Sequence, residues 1–183
     1  MTRLTVIAGP TAVGKGTVVR KIIEMHPEIG VSVSVTTRTP RPDEIDGVHY
    51  FFVNDAEFER MIASNELLEY ATVHRSHRYG TPRRPVEEAL NQDKQMILEI
   101  DVQGARQVKQ SMPSANLIFL APPSDEELLK RLATRGTESE EQIAVRLETA
   151  KQEMEAAREF DHIVVNREVA QAAAEVVELM QAQ

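Results

Sequence analysis

A glycine-containing turn between an apolar run and a helical pattern constrains this sequence more than any other feature. The turn reads GPTAVGKGT over Gly9–Thr17, after the apolar run Leu4–Ala8 and at the start of the helical stretch Lys15–Met25. Glycines let the backbone N–H groups point toward one spot, and the first turn of the helix adds the positive end of its dipole. A lysine at this position reaches the outer phosphates of a nucleotide. The segment therefore predicts a phosphate-binding loop in a strand–helix unit.

One position of this loop departs from the usual pattern. Gly16 follows the lysine where such loops carry serine or threonine, so the hydroxyl that is normally offered to Mg²⁺ is missing. Either the hydroxyl of Thr17 or a water molecule would have to take its place. A glycine-rich turn that binds no ligand is the alternative interpretation of the same residues.

The rest of the chain repeats the order of a short apolar run followed by a helical pattern. The repeats are Gln95–Ile100 before Gln103–Gln110, Asn116–Ala121 before Ser124–Arg135, and His162–Val165 before Val169–Met180. Capping-box spacing predicts helix starts at Asn54, Ser124 and Thr137. An apolar stripe over Ile143–Ala157 predicts a long amphipathic helix. Together these patterns predict a parallel sheet covered by helices.

Residues 31–81 interrupt this rhythm. Val31–Val35 alternates with period two, which predicts a strand with its valines on one face and its two serines on the other. A polar loop follows, and then short strands near Tyr50–Val53 and Leu67–Val73 on either side of a helix. We interpret the segment as a small inserted lobe of mixed α and β structure.

Two carboxylates are expected at the end of an apolar strand. Alternation places Glu99 and Asp101 on the same face, and ligands of open α/β sheets bind at the carboxyl ends of strands. Such carboxylates can hold Mg²⁺-bound water or a ligand hydroxyl. The alternative is that Asp101 only caps the following helix.

Two groups of arginines are candidates for binding phosphate. Arg131, Arg135 and Arg146 flank an acidic turn and could close over a nucleotide, where positive charge stabilises a transferring phosphoryl group. Arg38 and Arg41 lie in a loop stiffened by two prolines, which suits a fixed anion clamp. Ordinary solvated surface charge is the competing interpretation for both groups.

Composition argues against several classes of function. The 183 residues carry a net charge of −8 and no tryptophan, which opposes general binding to nucleic acid. The longest charge-free stretch, around Ala115–Ser124, is shorter than the roughly 18–20 residues of a membrane span, and the start MTRLTVIAGP lacks the pattern of a signal peptide. The absence of cysteine permits a reducing compartment. We expect a cytoplasmic protein that binds neither nucleic acid nor membranes.

With these residues in view, the sequence resembles the guanylate kinases along almost its whole length. The segments that carry the resemblance are GPTAVGKGT, SVSVTTRTPRPDEIDGVHYFF, LLEY, RYGTP, ILEIDVQG, FLAPPS and RLATRGTESEEQIAVRL. The TTRTPR segment is highly specific. The resemblance implies an α/β fold: a three-layer P-loop core with a parallel five-stranded sheet, an inserted mixed α+β lobe that binds GMP, and a helical lid.

The same resemblance implies one guanylate kinase-like domain over residues 1–183. The core would comprise 1–34, 82–124 and 151–183, the GMP-binding lobe 35–81, and the lid 125–150. The implied reaction is ATP + GMP ⇌ ADP + GDP, with Mg²⁺ as cofactor. ATP and GMP are the expected partners, and no obligatory protein partner is implied.

The resemblance also assigns residues to GMP. Those matching positions that grip its phosphate are Arg38, Arg41, Tyr50 and Tyr79. Those matching positions at the base or nucleoside are Ser34, Glu69, Thr81 and Asp101. Ionised Glu69 can accept hydrogen bonds from N1–H and the 2-amino group of guanine, whereas adenine has an acceptor at N1 and no 2-amino group. We expect this mismatch to exclude AMP.

On the ATP side, the resemblance assigns the whole loop and one distant residue. The expected ATP-binding residues are Gly9, Pro10, Thr11, Ala12, Val13, Gly14, Lys15, Gly16, Thr17 and Asn166. The expected catalytic residues are Lys15, Arg41, Arg131, Arg135 and Arg146, and the expected metal ligands, directly or through water, are Thr17 and Glu99. Ala12 replaces a usual loop glycine and Arg167 replaces an acid common in the family, which leaves the contacts to the ATP base open.

Two specific alternatives stay open at this point, besides the general one of a P-loop protein with another, unknown substrate. A monophosphate kinase with another base preference, such as AMP, is one, because the GKGT ending also suits the adenylate kinases. The other is a non-catalytic guanylate kinase-like binding module that recognises phosphorylated peptides. Ser34, Glu69 and the TTRTPR segment speak against the first, and the phosphate loop with its lid arginines speaks against the second.

Overall fold

The computed structural model describes residues 4–73, 77–133 and 140–182, with the side chains of 132–133 and 140–147 left out of the description. Within these ranges the strands are β1 (Leu4–Ala8), β2 (Gly30–Val31), β3 (Val35–Thr36), β4 (Phe51–Phe52), β5 (Leu67–Val73), β6 (His77–Pro82), β7 (Met96–Glu99), β8 (Asn116–Ala121) and β9 (His162–Val165). The helices are α1 (Lys15–Met25), α2 (Asp55–Ala63), α3 (Arg83–Asn91), α4 (Val102–Ser111), α5 (Asp125–Ala133), α6 (Glu140–Glu155) and α7 (Val169–Gln181), with a 3₁₀ turn over Ala156–Glu159. In these parts of the chain, no helix is both long and apolar enough to span a bilayer.

The core is a five-stranded sheet in the order β2-β7-β1-β8-β9, and all of its pairings are parallel. Its central strands β1 and β8 are buried along their whole length, which is why they read as continuous apolar runs. Helices α1 and α7 cover one face, and α3 and α4 cover the other. The predicted three-layer α/β core with a parallel five-stranded sheet is confirmed.

The segment between β2 and α3 forms a second, four-stranded sheet in the order β4-β3-β6-β5. Helix α2 packs on it, and the fully buried ring of Phe58 forms the centre of its small core with Val35 and Leu67. Asn54 caps α2, because its side chain accepts a hydrogen bond from the N–H of Glu57 at 2.8 Å. The lobe of mixed α and β structure expected from the sequence is therefore present.

The expectation of one continuous strand over Val31–Val35 is wrong. Val31 pairs with Ile97 in the core sheet, whereas Val35 pairs with Phe51 and Gly80 in the lobe sheet. The valines do not share a buried face, since Val31 is 36% exposed and Val35 is fully buried. The segment with the period-two pattern crosses from one sheet to the other, because its first residue pairs in the core sheet and its last residue pairs in the lobe sheet.

The region expected to form a lid contains the helices α5 and α6. Ser124 begins α5 as predicted, with its hydroxyl accepting from the N–H of Glu127 at 3.2 Å. Leu128 and Ala150 are buried against each other and contact Ala12 of the phosphate-binding loop. The capping box expected at Thr137 lies outside the described residues. The amphipathic stripe continues from α6 into the 3₁₀ turn, where Ala157 is buried.

Candidate active site

One pocket lies where the carboxyl ends of core strands face the lobe sheet. It is lined by Lys15, Ser34, Tyr50, Glu69, Ala71, Val73, Tyr79, Glu99, Ile100 and Asp101. The pocket thus contains residues from both sheets and from the phosphate-binding loop. Most of the residues that the sequence assigned to GMP line it, together with the lysine assigned to ATP. Arg38, Arg41 and Thr81 are not among its lining residues and require separate description.

The phosphate-binding loop occupies the turn between β1 and α1. Gly9 has a φ of 151°, and a Cβ on it would collide with the carbonyl oxygen of Leu120, so only glycine fits there. Gly14 ends the loop at a φ of 97°, and a Cβ there would lie 2.8 Å from Nδ2 of Asn166. Ala12 replaces the usual glycine but still adopts a left-handed φ of 66°. The ammonium of Lys15 donates to the carbonyl oxygen of Gly9 at 2.7 Å.

Asn166 and Arg131 tie distant segments to this loop. The buried Asn166 donates from Nδ2 to the carbonyl oxygen of Val13 at 2.8 Å, while its Oδ1 has no hydrogen-bond partner among the described residues. Arg131, on α5, donates to the carbonyl oxygens of Val13 at 3.1 Å and Asn166 at 3.3 Å. The structure thus brings these two predicted residues onto the loop. Arg135 lies outside the described residues, and the side chain of Arg146 is not described.

Glu69 lines the pocket and is only 4% exposed. The hydroxyl of Thr81, on the neighbouring strand β6, donates to Glu69 Oε1 at 2.6 Å. Burial raises the pKa of Glu69 from 4.5 to about 7, opposed by the Thr81 hydrogen bond and reinforced by the negative charge of Asp101. Thr81 therefore acts on the pocket through Glu69 although it does not line it.

The guanidinium of Arg38 donates hydrogen bonds to Glu44, Tyr79 and the carbonyl oxygen of Thr39. Its two terminal nitrogens donate to the carboxylate of Glu44 at 2.8 and 2.9 Å, and its Nε donates to the hydroxyl of Tyr79 at 3.2 Å. The guanidinium also lies 5.4 Å from the ring centroid of Tyr50. These contacts place Arg38 beside two tyrosines of the pocket, as the sequence implied.

Glu44 is a functional candidate that the sequence reasoning missed. Its hydrogen bonds from Arg38 lower its pKa to about 2, and its Oε2 also accepts from the backbone N–H of Arg41 at 2.8 Å. The side chain of Arg41 itself is exposed and does not line the pocket. The spacing of Glu44 three residues after Arg41 in a proline-rich turn was the available signal.

Glu99 and Asp101 follow β7 as expected and face the same pocket. Burial raises the pKa of both carboxyls, with the charge of Lys15 acting in the opposite direction. Asp101 also caps α4, because its Oδ1 accepts from the N–H of Gly104 at 2.8 Å. The helix cap offered as the alternative for Asp101 is therefore present, and a contact of Asp101 with a ligand or with Mg²⁺-bound water stays a prediction. A Cβ on Gly16 would lie 3.4 Å from Glu99 Oε1, so this carboxylate occupies the space next to the missing hydroxyl.

Glu153 is a second residue that the sequence did not reveal. It lies on α6, and its Oε2 accepts from the backbone N–H of Thr11 in the phosphate-binding loop at 3.3 Å. Burial raises the pKa of Glu153, while Lys15 lowers it. No sequence pattern marks this contact, because the two residues are far apart in the chain.

A parallel α/β sheet with a phosphate-binding loop after its first strand defines this chain as a P-loop protein that binds nucleoside phosphates. The buried carboxylate of Glu69 and the rings of Tyr50 and Tyr79 line the same pocket as the loop lysine, and Arg38 contacts both tyrosines to form an arginine–tyrosine group.

Comparison with known proteins agrees with this class. The model of the guanylate kinase family matches residues 1–183. Guanylate kinase of Leifsonia xyli is 62% identical over 97% of this chain and 70% of its own length, and that of Cutibacterium acnes is 57% identical over 97% and 89%. The crystal structure of guanylate kinase from Anaplasma phagocytophilum has a TM-score of 0.83 at 31% identity, over 99% of this chain and 85% of its own.

The chain belongs to the guanylate kinase family. Membership confirms the function and enzyme class implied by the sequence, those of a guanylate kinase and ATP:GMP phosphotransferase. The two alternatives, a binding module and a kinase of another base preference, lose their support. The roles of individual residues are proposals that follow below.

Proposed function

We propose that this chain transfers the γ-phosphoryl group of ATP to GMP in the pocket between the phosphate-binding loop and the lobe sheet. The observation that carries the assignment is a buried carboxylate, Glu69, in the same pocket as the loop lysine Lys15. A buried carboxylate without a cationic partner is costly unless a ligand provides donors. The guanine edge offers two adjacent N–H donors, which the carboxylate of Glu69 can accept together.

Base recognition rests on three side chains. Glu69 accepts from N1–H and the 2-amino group of guanine, while the Thr81 hydroxyl holds one of its oxygens at 2.6 Å. Ser34, which lines the same pocket, supplies a hydroxyl to the base. Asp101 lies at the nucleoside side of the pocket and also caps α4. A site built to bond the guanine edge leaves Glu69 unpaired when adenine enters, which disfavours AMP.

The GMP phosphate binds at the arginine–tyrosine group. Arg38 is already oriented by Glu44 and Tyr79, so it loses little side-chain freedom when a phosphate arrives. Tyr50 and Tyr79 line the pocket and offer hydroxyl donors. Arg41 has an exposed side chain on the same loop, from which it can reach the phosphate when the pocket closes.

The ATP phosphates bind on the loop Gly9–Thr17. Its N–H groups and Lys15 supply positive potential. Oδ1 of Asn166, which has no hydrogen-bond partner among the described residues, is the proposed acceptor on the base side of ATP. Arg131, Arg135 and Arg146 bring further charge to the transferring group. Transfer requires in-line placement of an oxygen of GMP and the γ-phosphorus, with charge neutralised and water excluded, and no covalent intermediate with the protein.

The residues of the pocket fit Mg²⁺ as a cofactor. In the described ranges, no group of three or more acidic, histidine or cysteine side chains forms a closed metal site. In nucleotide sites Mg²⁺ is held mainly by phosphates and water, together with one or two carboxylates. Glu99, beside Gly16, would hold it directly or through water, with Thr17 as the other candidate. When bound, Mg²⁺ neutralises charge on the phosphates.

A steady-state assay with ATP·Mg²⁺ and each of GMP, AMP, CMP and UMP tests this function. GMP should be phosphorylated, and AMP should be disfavoured by about 10⁴ in kcat/KM, as expected for a site that bonds a polar edge. A preference for AMP would contradict the role of Glu69. Binding of ATP without turnover of any monophosphate would favour a binding module instead.

A further inference from the structure

Helix α4 of the core packs against β5, the strand that carries Glu69. The lobe sheet ends at β5, so one side of this strand has no neighbouring strand within the described residues. On that side, the side-chain amide of Gln107 pairs with the backbone of Tyr70. Its Oε1 accepts from the Tyr70 N–H at 3.1 Å, and its Nε2 donates to the Tyr70 carbonyl oxygen at 2.6 Å. One side chain therefore satisfies both backbone groups, as a neighbouring strand would.

A second residue of α4 leaves space for the carboxylate itself. A Cβ on Gly104 would collide with Oε2 of Glu69 and lie 2.9 Å from its Cδ. The φ of Gly104 is outside the left-handed region, so space rather than backbone conformation is what requires glycine here. Its N–H is also held by the Asp101 cap at 2.8 Å. The N-terminal end of α4 is thus fixed where it contacts Glu69.

The pairing of β5 with β6 aligns Glu69 with Thr81 and is regular from there to Val73, so Glu69 lies at the end of the regular stretch. The register between these strands shifts between Leu67 and Glu69. A displacement of one residue along a strand turns each side chain to the opposite face. The contact of Gln107 with Tyr70, the residue next to Glu69, provides a second reference point from outside the sheet.

We propose that Gln107 and Gly104 are positioning residues for guanine selection, which set from the core helix where the Glu69 carboxylate lies in the pocket. The proposal rests on the proposed function, because it assigns these residues to the base-reading part of the same site. Neither residue lines the pocket, so each acts through Glu69. Gln107 fixes the strand, and Gly104 provides the space.

The test uses the full chain and three changes on α4. Gln107→Met keeps the length of the side chain and removes both hydrogen bonds to Tyr70. Gly104→Ala adds one methyl group where Glu69 lies, although alanine is the better helix former. Gln110→Met is the matched control, because Gln110 is an exposed glutamine on the same helix. The measurements are kcat and KM for GMP, AMP and ATP, equilibrium binding of GMP by calorimetry, and thermal unfolding.

Gln107→Met should raise the KM and Kd for GMP by about tenfold, as expected for the loss of two neutral hydrogen bonds. Gly104→Ala should raise the KM and Kd for GMP by at least about tenfold, which is the range expected when a hydrogen bond to a charged group is lost. The KM for ATP should stay within about twofold, and the ratio of GMP to AMP efficiency should fall in both variants. Gln110→Met should match the wild type.

Unchanged GMP affinity and unchanged purine selectivity in both variants would overturn the proposal. Equal losses toward ATP and GMP, together with a lowered melting temperature, would do the same, because they indicate a structural role only. The Gln107→Met measurement still tests the proposal if the Gly104→Ala variant does not fold. A wild-type protein that fails to phosphorylate GMP would refute the proposed function, whereas an active wild type with unaffected variants would refute only this inference.

Discussion

Lowering the pH from 8 to 6 should weaken GMP binding by protonating Glu69. Burial raises the pKa of this carboxyl to about 7, and only the ionised form accepts from both N–H groups of guanine. With a pKa near 7, the ionised fraction falls about tenfold between pH 8 and pH 6, so KM for GMP should rise by about the same factor. That factor corresponds to about 1.4 kcal/mol of binding free energy.

The protonated carboxyl has a different preference. It offers one O–H donor and one acceptor, which suits the N1 and 6-amino groups of adenine. The selectivity for GMP over AMP should therefore narrow as the pH falls, and not merely the affinity for GMP. This change in selectivity distinguishes the titration of Glu69 from a general loss of activity.

The assay is the ratio of kcat/KM for GMP and AMP between pH 6 and 8 at saturating ATP. The second ionisation of a phosphate monoester lies near pH 6, so the substrates titrate as well. Glu69→Gln is the control, because it retains that contribution and removes the carboxyl. Its GMP-to-AMP ratio should be low and independent of pH. A wild-type ratio that does not change over this range would refute the reasoning.

Three further predictions concern stability and the phosphate contacts. Glu69→Gln should be more stable than the wild type above pH 7 by at most about 3 kcal/mol, measured by denaturant unfolding. The reason is that the pKa of Glu69 is raised in the folded state, so the wild type loses stability as the pH rises from 4.5 through 7. Equal stability of the two proteins above pH 7 would contradict the buried charge. Lys15→Ala and Arg135→Ala should each lower kcat by at least ~10²-fold in single-turnover assays, and near-normal turnover in both would overturn their assignment. Arg38→Lys keeps the charge but loses the fork that contacts Glu44, so KM for GMP should rise about tenfold while KM for ATP stays constant.

Local patterns predicted the core of the fold well. The bounds of β1, α1 and β8 agree with the sequence interpretation, because each is either a fully buried strand or a helix whose apolar positions recur with a clear period. The bounds of β9 agree as well, although only Val164 of that strand is buried. The phosphate-binding loop could be predicted for the same reason, since its residues are contiguous. The GMP residues came from a family resemblance and not from periodicity.

Side-chain contacts that arise only in the folded chain could not be predicted, whether their residues are near or far apart in the sequence. Glu44 is near Arg41 in sequence, yet only the folded loop shows its carboxylate bound to Arg38. Gln107 lies on an ordinary amphipathic helix, and nothing in that pattern marks its contact with Tyr70 on another sheet. The prediction of one strand over Val31–Val35 was wrong for a similar reason, because period-two alternation does not indicate which sheet each residue pairs in.

The crossing between the two sheets has a mechanical consequence. Only residues 32–34 separate β2 in the core from β3 in the lobe. Three residues span at most about 10 Å when fully extended, so Ser34 stays near the edge of the core sheet however the lobe turns. The lobe is thus joined closely to the core at this point, and Ser34, the serine proposed to contact the base, lies at the junction of the two sheets.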